Sequence, residues 1–338
     1  MIVIDGSMGE GGGQVLRSSL SLSAVTGQPV RISNVRGRRP RPGLLRQHLT
    51  ALLAAQQICD GHVTGAALGS REVTFRPGTV RAGEYSFSVG TAGSTSLVLQ
   101  TVLPVLLHAD GPSKITLRGG THSPSSPSFD FLTTAYFPAL RAIGYRVDGR
   151  LNHYGFFPAG GGEIEIDILP TGERRALVLE ERGYEISRRL ECVISNLSRH
   201  IAKRELGVAG SALNIPEDAR QITERHSTGP GNVLCADLEF ANITAHFTEF
   251  GVQGVSSEKV ASNLSKAAGT FLESSATVTP HLTDQLLLPM ALAKGGFLTT
   301  LGPNLHAQTN AEVIGRFLDR RITFEKGSNC FNCVVGSA

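Results

Sequence analysis

Three stretches of the chain share one pattern of apolar and polar positions. In each of them a glutamine opens an apolar helix, a glycine ends that helix, and a short strand runs into a loop of polar or charged residues. Such self-similarity indicates a repeated supersecondary unit whose copies differ in their loops. The opening residues are Gln14, Gln100 and Gln285, and the predicted helices cover residues 16–25, 101–107 and 286–292.

Each loop is followed by a second predicted helix and further strands. Helices that alternate with strands exposed on one face favour an α/β fold of the layered α+β kind, with one unit repeated three times. Apolar residues at helical spacing place the second helices at residues 44–58, 129–143 and 311–318. Strands are predicted at residues 30–35, 64–68 and 73–76, then at 115–117, 146–151 and 163–169, and finally at 297–301, 321–326 and 333–335.

The spacing of the copies predicts an insertion. Gln14 and Gln100 lie much closer together along the chain than Gln100 and Gln285, so about 100 extra residues separate the second and third copies. We therefore expect a large domain of residues 1–172 and 277–338, with a smaller α/β domain of residues 173–276 inserted at a loop. The predicted elements of the insertion are strands at residues 185–195, 232–240 and 242–250 and helices at residues 201–213 and 257–273.

Composition excludes several classes of protein. The 338 residues are 41% hydrophobic, which supports a real core. No apolar run approaches the ~18 residues that a membrane-spanning helix needs. The N-terminus reads as a strand without a basic region, so it does not resemble a signal peptide. We expect a cytoplasmic protein without a membrane partner, and the sequence leaves open whether it forms oligomers.

The cysteines are odd in number and scattered, which favours reduced thiols over disulfides. Two of them have CxxC spacing, but no second pair completes a zinc site. A metal or redox role for these two, Cys330 and Cys333, is therefore the less favoured alternative. The remaining three are Cys59, Cys192 and Cys235.

Positive charge is concentrated in one segment of a chain whose net charge is only +3. Two prolines and two glycines stiffen the segment, and a helix is predicted directly after it. Guanidinium groups pair with phosphate in a planar fork, and helix N-termini attract anions, so the segment indicates a phosphate site. A solvated basic loop is the ordinary alternative. The arginines are Arg36, Arg38, Arg39, Arg41 and Arg46, with Arg17 and Arg31 upstream.

Two further features carry candidate chemistry. The glycine-rich residues 9–14 form neither a Walker loop nor a dinucleotide fingerprint. They would suit an anion, with Glu10 holding a hydrated Mg²⁺, and a plain turn is an equal alternative. His306 lies in a predicted loop of the third copy. Because a lone loop histidine is more often structural than catalytic, this residue alone leaves both roles open.

Five motifs, taken together and in order, resemble those of the RNA 3′-terminal phosphate cyclases. The resemblance covers essentially the whole chain, including the predicted insertion. It implies three β-α-β-α-β-β units, similar to the C-terminal domain of a bacterial translation initiation factor, plus a smaller α/β insertion. The motifs are residues 9–14 with Arg17, residues 39–48, residues 155–162, residues 284–291, and His306 with Thr309 and Asn310.

The resemblance also implies an activity, the ATP-dependent conversion of an RNA 3′-phosphate into a 2′,3′-cyclic phosphodiester. In this family a histidine attacks the α-phosphate of ATP, pyrophosphate leaves, and AMP then passes to the RNA phosphate before the neighbouring 2′-OH displaces it. Position matching makes His306 the nucleophile and gives Asp284 the task of orienting or polarising it. Neutral imidazole, with a reference pKa of about 6.5, suits nucleophilic attack near neutral pH.

The same matching implies the other site residues. Mg²⁺ or Mn²⁺ would lie at Glu10 and bridge the phosphates of ATP. The family often carries a tyrosine at the position of His281. The RNA phosphate would be bound by Arg17, Arg36, Arg39 and Gln47. The nucleotide would be bound by Gln14, Gln100, His281, Leu282, Thr283, Asp284 and Gln285, with Pro127 and Phe131 against the adenine and Phe247 as a weaker candidate.

Two rival functions belong to other classes. Some relatives of this family keep the fold, lack the nucleophilic histidine and act as RNA-binding proteins, whereas enolpyruvyl transferases are built from similar repeats. Retention of His306, Glu10 and Asp284 favours the enzyme over the RNA-binding alternative. A transferase would consume phosphoenolpyruvate, so dependence on ATP separates the three.

Overall fold

The computed structural model describes residues 1–337 of the chain. Both of the first two units run β-α-β-α-β-β, and the second helix of the second unit contains a π-helical stretch. The first unit consists of β1 (Ile2–Asp5), α1 (Gly13–Thr26), β2 (Val30–Ser33), α2 (Arg46–Ile58), β3 (His62–Thr64) and β4 (Val73–Arg76). The second consists of β5 (Glu84–Ser88), α3 (Thr95–Leu106), β6 (Ser113–Gly119), α4 (Phe129–Phe131), the π-helical Leu132–Tyr136, α5 (Phe137–Ile143), β7 (Arg146–His153) and β8 (Gly162–Leu169).

The third unit is interrupted after its first strand, β9 (Leu177–Leu179). The inserted elements are β10 (Glu185–Ser195), α6 (Arg199–Ala212), a 3₁₀ turn (Glu217–Ala219), β11 (Arg220–Glu224), β12 (Gly231–Phe240), β13 (Thr244–Phe250) and α7 (Ser257–Glu273). The unit then resumes with α8 (Pro280–Leu292), β14 (Gly296–Thr300), α9 (Leu305–Phe317), β15 (Arg320–Lys326) and β16 (Phe331–Ser337).

All three units use one sheet topology. The strand orders are β1-β2-β4-β3, β5-β6-β8-β7 and β9-β14-β16-β15. In each sheet the first two strands are parallel and the other pairings are antiparallel. The insertion has a sheet of its own, in the order β11-β10-β12-β13. The predicted fold class, an α/β fold of three β-α-β-α-β-β units with a smaller α/β insertion, is therefore confirmed.

Apolar side chains form a large core under the three repeated units and a separate core in the insertion. Leu20, Val102 and Leu286 lie in the large core, whereas Leu206 and Phe271 lie in the core of the insertion. The domain bounds at residues 172 and 277 stay predictions. β9 lies beyond the first of them, yet it pairs with β14 of the third sheet. That sheet thus takes one strand from the segment assigned to the insertion.

β8 illustrates how the sequence pattern produces a sheet with one buried face. Its isoleucines at alternate positions are buried, while the acidic residues between them face outward. Glu163 accepts a hydrogen bond of 2.6 Å from Arg118, and Glu165 accepts one of 2.6 Å from Arg150. Exposed ion pairs of this kind contribute up to about 1 kcal/mol each, so apolar burial dominates the stability of the sheet.

Three helices begin earlier than the sequence pattern predicts, because a side chain caps each of them. Ser94, Thr279 and Asn304 accept backbone N–H bonds at the starts of α3, α8 and α9. The prediction that Gln100 and Gln285 open their helices is therefore wrong, since both lie in helix interiors. His306 lies in the first turn of α9, and its predicted place in a loop is wrong as well.

Three strands were not predicted: β5, β9 and β11. Each is short and lies at the edge of its sheet, where half of the backbone groups face away from a partner strand. Edge strands show weaker apolar alternation than central ones, so the pattern gave little signal for them.

The helices of residues 1–337 include none with both the length and the apolar character of a membrane span.

Candidate active site at the meeting point of the three units

His306 projects from the first turn of α9 and is exposed to solvent. The cap fixes this turn, because Asn304 Oδ1 accepts a 2.7 Å hydrogen bond from the backbone N–H of Ala307. One helical turn later, Thr309 and Asn310 point inward and are buried. The start of α9 therefore presents an accessible imidazole on a rigid base.

Asp284 lies on α8 beside this imidazole and is buried. Burial raises the pKa of the Asp284 carboxyl to about 6, and the neighbouring His306 and Arg17 oppose the rise. Desolvation acts in this direction because it disfavours the charged form of an acid. The site thus contains an acid whose pKa lies near that of an ordinary imidazole.

Two chains of hydrogen bonds lead from the Arg17 guanidinium to Asp284. One passes through the two glutamines of α3 and α8, and the other passes through α1 and α9. In every hydrogen bond of the two chains the donor lies on the Arg17 side and the acceptor on the Asp284 side. The donor–acceptor distances run from 2.6 to 3.4 Å. We call this closed set the glutamine ring, and its members are, in order, Arg17, Gln100, Gln285, Asp284, Asn310, Ser18 and Gln14.

The glutamine ring takes residues from all three units. Gln14 comes from the first unit, Gln100 from the second and Gln285 from the third. Because Arg17 has only donors to give, and both oxygens of Asp284 accept, the orientation of each amide between them is determined. Burial lowers the pKa of Arg17 to about 10, while Asp284 and Glu10 act to raise it.

Glu10 lies in the loop before α1, next to the arginine segment. Its carboxylate forms an ion pair with Arg39 and accepts a 3.2 Å hydrogen bond from the backbone N–H of Gln14. Its own backbone N–H donates to Thr309 Oγ1 at 2.9 Å, which connects the loop to α9. The Glu10 side chain is 3% exposed and the Arg39 side chain is 42% exposed, so only the arginine has room to move.

The other predicted phosphate-binding residues lie in two different surroundings. Arg36 is buried, and it donates to the backbone carbonyls of Arg41 and Gly43 at 2.6 and 2.9 Å. Its guanidinium therefore holds the arginine loop in shape. Gln47, at the start of α2, accepts a 3.1 Å bond from the backbone N–H of Ser94 and lines a cleft on the surface.

The predicted nucleotide-binding residues are divided between surface and core. His281 is exposed at the start of α8, and partial desolvation and the charge of His306 lower its pKa. Leu282 and Thr283 are buried, so their side chains pack inside the protein. Pro127 is half-buried. Phe131 is 6% exposed, with its ring edge-on to that of His246.

Phe247 packs edge-on against Phe271 at 5.7 Å, within the apolar core of the insertion. The two CxxC cysteines are buried in different cores, Cys333 in the large one and Cys330 in that of the insertion. All five cysteines are free. Across residues 1–337, no group of three or more His, Cys, Asp or Glu side chains could hold a metal ion.

Four residues without a predicted role join the site: Ser18, and the motif residues His48, Thr309 and Asn310. Thr309 and Asn310 follow His306 by three and four positions, which is the spacing of one helix face. That spacing was visible once α9 was extended to include His306. Burial, followed by three neighbouring arginines, lowers the pKa of His48 to about 3, so this imidazole is neutral.

Comparisons with known proteins agree with this arrangement. Residues 8–324 match the family described as RNA 3′-terminal phosphate cyclase. A protein of that name from Koribacter versatilis is 48% identical over 331 residues, which cover 98% of this chain and 93% of the relative. Another of that name, from Pseudomonas fluorescens, is 49% identical over 323 residues, covering 95% and 94%.

The fold, the site and these similarities define an enzyme of the ATP-dependent ligase class. The chain belongs to the RNA 3′-terminal phosphate cyclase family.

Proposed function

We propose that this protein converts the 3′-phosphate end of RNA into a 2′,3′-cyclic phosphodiester at the expense of ATP, through a covalent histidinyl-AMP. The observation that supports this most is the exposed His306 beside a buried carboxylate whose pKa is raised to about 6. An RNA-binding protein without catalysis has no need of an acid held in this state at the cost of burial.

In the first step, a ring nitrogen of His306 attacks the α-phosphorus of ATP. A nitrogen–phosphorus bond forms, the bond to the α,β-bridging oxygen breaks, and pyrophosphate leaves with the electron pair. The imidazole becomes cationic and gives up a proton from its other ring nitrogen. Asp284, as a carboxylate, stabilises that charge and accepts the proton, because burial raises the pKa of its carboxyl to about 6.

In the second step, an oxygen of the RNA 3′-phosphate attacks the same phosphorus, Asp284 returns the proton to the imidazole, and the nitrogen–phosphorus bond breaks with its electron pair left on His306. AMP is then joined to the RNA phosphate. The 2′-OH then attacks the RNA phosphorus and loses its proton to solvent. The bond between that phosphorus and the AMP oxygen breaks, AMP leaves with the electron pair, and the cyclic end forms. Arg17 and Arg39 would bind the incoming phosphate, since guanidinium groups offset the charge that two anions bring together.

Glu10 is our candidate ligand for Mg²⁺ or Mn²⁺, which would neutralise the charge of the departing pyrophosphate. Hard carboxylate oxygen suits these ions, and Mg²⁺ commonly takes one or two carboxylates plus phosphates and water. The residues present fit this role, with one condition. Arg39 occupies one oxygen of Glu10, so the more exposed arginine has to move aside when the ion binds.

The function is tested with RNA that carries a labelled 3′-terminal phosphate. The protein should make that phosphate resistant to phosphatase only when ATP is supplied. Phosphoenolpyruvate in place of ATP should give no product, in contrast to an enolpyruvyl transferase. RNA binding without any ATP-dependent resistance would establish the RNA-binding alternative.

We expect the protein to act in the cytoplasm, and its five free thiols agree with a reducing compartment.

Arg39→Ala should leave self-adenylation largely intact and slow the transfer of AMP to RNA by about tenfold or more, because one charge-assisted contact to the phosphate is lost. Single-turnover transfer from the preformed histidinyl-AMP measures this directly. Arg31→Ala is the matched control, since Arg31 also pairs with a glutamate, Glu72, at 3.0 Å on the surface. Normal cyclisation by Arg39→Ala would remove Arg39 from the phosphate site.

A further inference from the structure

A surface cleft of about 390 Å³ lies next to the candidate active site. Its walls are the loop of residues 91–94, the loop of residues 123–126 and the dipeptide Phe157-Pro158, with Gln47 at its border. Apart from Gln47, none of the residues that line it belongs to the candidate active site. Its size lies within the range of pockets that bind small organic groups.

The cleft is joined to the site at two points. Gln47 precedes His48, whose Nε2 lies beside Gly13 and near the Arg17 guanidinium. On the opposite side, Ser126 precedes Pro127, whose carbonyl accepts a 2.6 Å hydrogen bond from Ser96. The cleft therefore touches both the candidate phosphate site and the candidate adenine wall.

The lining of the cleft suits a nucleoside. None of its lining residues, all of which belong to the described part of the chain, carries a charge, and several present hydroxyl groups. Phe157 contributes an aromatic ring that is 61% exposed. Bases stack on exposed aromatic rings in proteins that bind single strands, and hydroxyl groups bind ribose. The backbone of Ser125 at the rim has a left-handed φ of 64°, a conformation that concentrates at functional sites.

The glycine-rich segment explains how the cleft is built. A side chain at Gly160 would come within 2.9 Å of Ala92 Cα, and one at Gly161 within 2.7 Å of Thr228 Oγ1. Residues 158–162 thus fit tightly between the loop that lines the cleft and the insertion. This close approach fixes the path of the backbone that follows Phe157, whose side chain is exposed.

We propose that the cleft binds the 3′-terminal nucleoside of the RNA, with its base stacked on Phe157 and its ribose against the serine hydroxyls. This inference rests on the proposed function. ATP already has candidate residues along α8 and at Pro127, so the substrate left to fill a neighbouring uncharged cleft is the RNA end. Gln47 lies where the nucleoside would join its phosphate.

Such a cleft tolerates any base, because every base has a face that can stack. Among its hydroxyl groups, those of Ser123 and Ser126 already donate to backbone carbonyls, so they offer acceptors to the ribose and do not select a base. We therefore expect little preference for the terminal base, and a strong dependence on its presence.

The test compares wild type with Phe157→Ala on RNA ending in an ordinary nucleotide and on RNA whose terminal nucleotide lacks its base. Phe157→Ala should weaken binding of the ordinary 3′-phosphorylated RNA and raise its KM by about tenfold, since a stacked base is lost. The loss of affinity from Phe157→Ala and the loss from removing the terminal base should not add. On the base-free RNA the variant and wild type should bind alike, which identifies the base as the partner of the ring.

Two further variants show whether the effect is specific to an aromatic ring at position 157. Phe157→Tyr keeps an aromatic ring and should restore binding, whereas Tyr184→Ala removes another exposed ring, on the insertion, and should change nothing. Self-adenylation without RNA should be unaffected in all of them. Equal RNA affinity of wild type and Phe157→Ala would overturn the proposal, as would a defect that persists on base-free RNA or one confined to self-adenylation.

A protein that lacks the proposed cyclase activity would give a different result from one that lacks only the nucleoside site. In that case wild type itself forms no cyclic end, whatever residue stands at position 157. RNA affinity, measured without ATP, still reports on the cleft under those conditions.

Discussion

Replacing His306 by alanine should abolish both the attachment of AMP to the protein and the cyclisation of RNA. The imidazole is the proposed nucleophile, and alanine offers no atom that could form the bond to phosphorus. The measurement is incubation with Mg²⁺ and ATP labelled at the α-phosphate, without RNA, followed by denaturing electrophoresis. Wild type should retain label that is released by acid, as a phosphorus–nitrogen bond requires, and the variant should retain none.

A matched control separates this effect from general damage. His62→Ala makes the same substitution at an exposed histidine on the short strand β3, outside the site. It should adenylate as wild type does. His306→Ala should also keep its fold, since the side chain is exposed and the cap of α9 depends on Asn304. Label on His306→Ala would assign the nucleophile to another residue, and freshly folded wild type without label would favour the RNA-binding alternative.

The sequence predicts the repeated units and the insertion that the structure contains, but not the arrangement that joins the candidate site residues. Gln14, Gln100 and Gln285 were recognised as equivalent because local pattern repeats along the chain. That they meet in one ring depends on how three units pack around a common centre, and no local pattern encodes such packing.

The errors have a similar origin. The apolar pattern predicts too late a start for α9 because Pro303 and Asn304 are typical loop residues, although asparagine is also a favoured helix cap. With that cap recognised, His306, Thr309 and Asn310 fall on one helix and the link between the nucleophile and Glu10 follows. Arg36 is predicted to bind phosphate from its place in the arginine segment and from the resemblance, and that role stays a prediction. Its bonds to the backbone carbonyls of Arg41 and Gly43 depend on the path of the loop, which no local pattern encodes.

Asp284→Asn should lower the rate of self-adenylation by about 100-fold, the size of effect expected when a group that handles a proton is lost. The hydrogen bonds of the glutamine ring explain why the amide cannot substitute for the carboxylate. Both oxygens of Asp284 accept bonds, from Gln285 and Asn310. An asparagine at this position would place its N–H₂ group against Gln285 or Asn310. Since both of these side chains already donate here, two donors would face each other. Reversing the amides does not help, because both chains end at Arg17, which cannot accept.

The pH dependence of stability provides an independent test of the same residue. The pKa of Asp284 is raised from 3.8 to about 6 in the folded protein, so the unfolded chain loses this proton first as the pH increases. Stability from this group is therefore present at low pH and is lost as the pH rises through about 6. The difference between the two pKa values corresponds to about 3 kcal/mol.

The free energy of unfolding of Asp284→Asn, relative to wild type, should accordingly rise by about 2 kcal/mol between pH 4 and pH 7, since the unfolded chain has already lost part of this proton at pH 4. Denaturant unfolding of both proteins at several pH values measures it, and Asp148→Asn, at an exposed aspartate, should show no such rise. Wild-type adenylation should fall below about pH 6, as the carboxylate takes up its proton. If the difference in unfolding free energy between the two proteins did not vary with pH, the pKa of Asp284 would not be raised in the folded state. Its role beside His306 would then be steric.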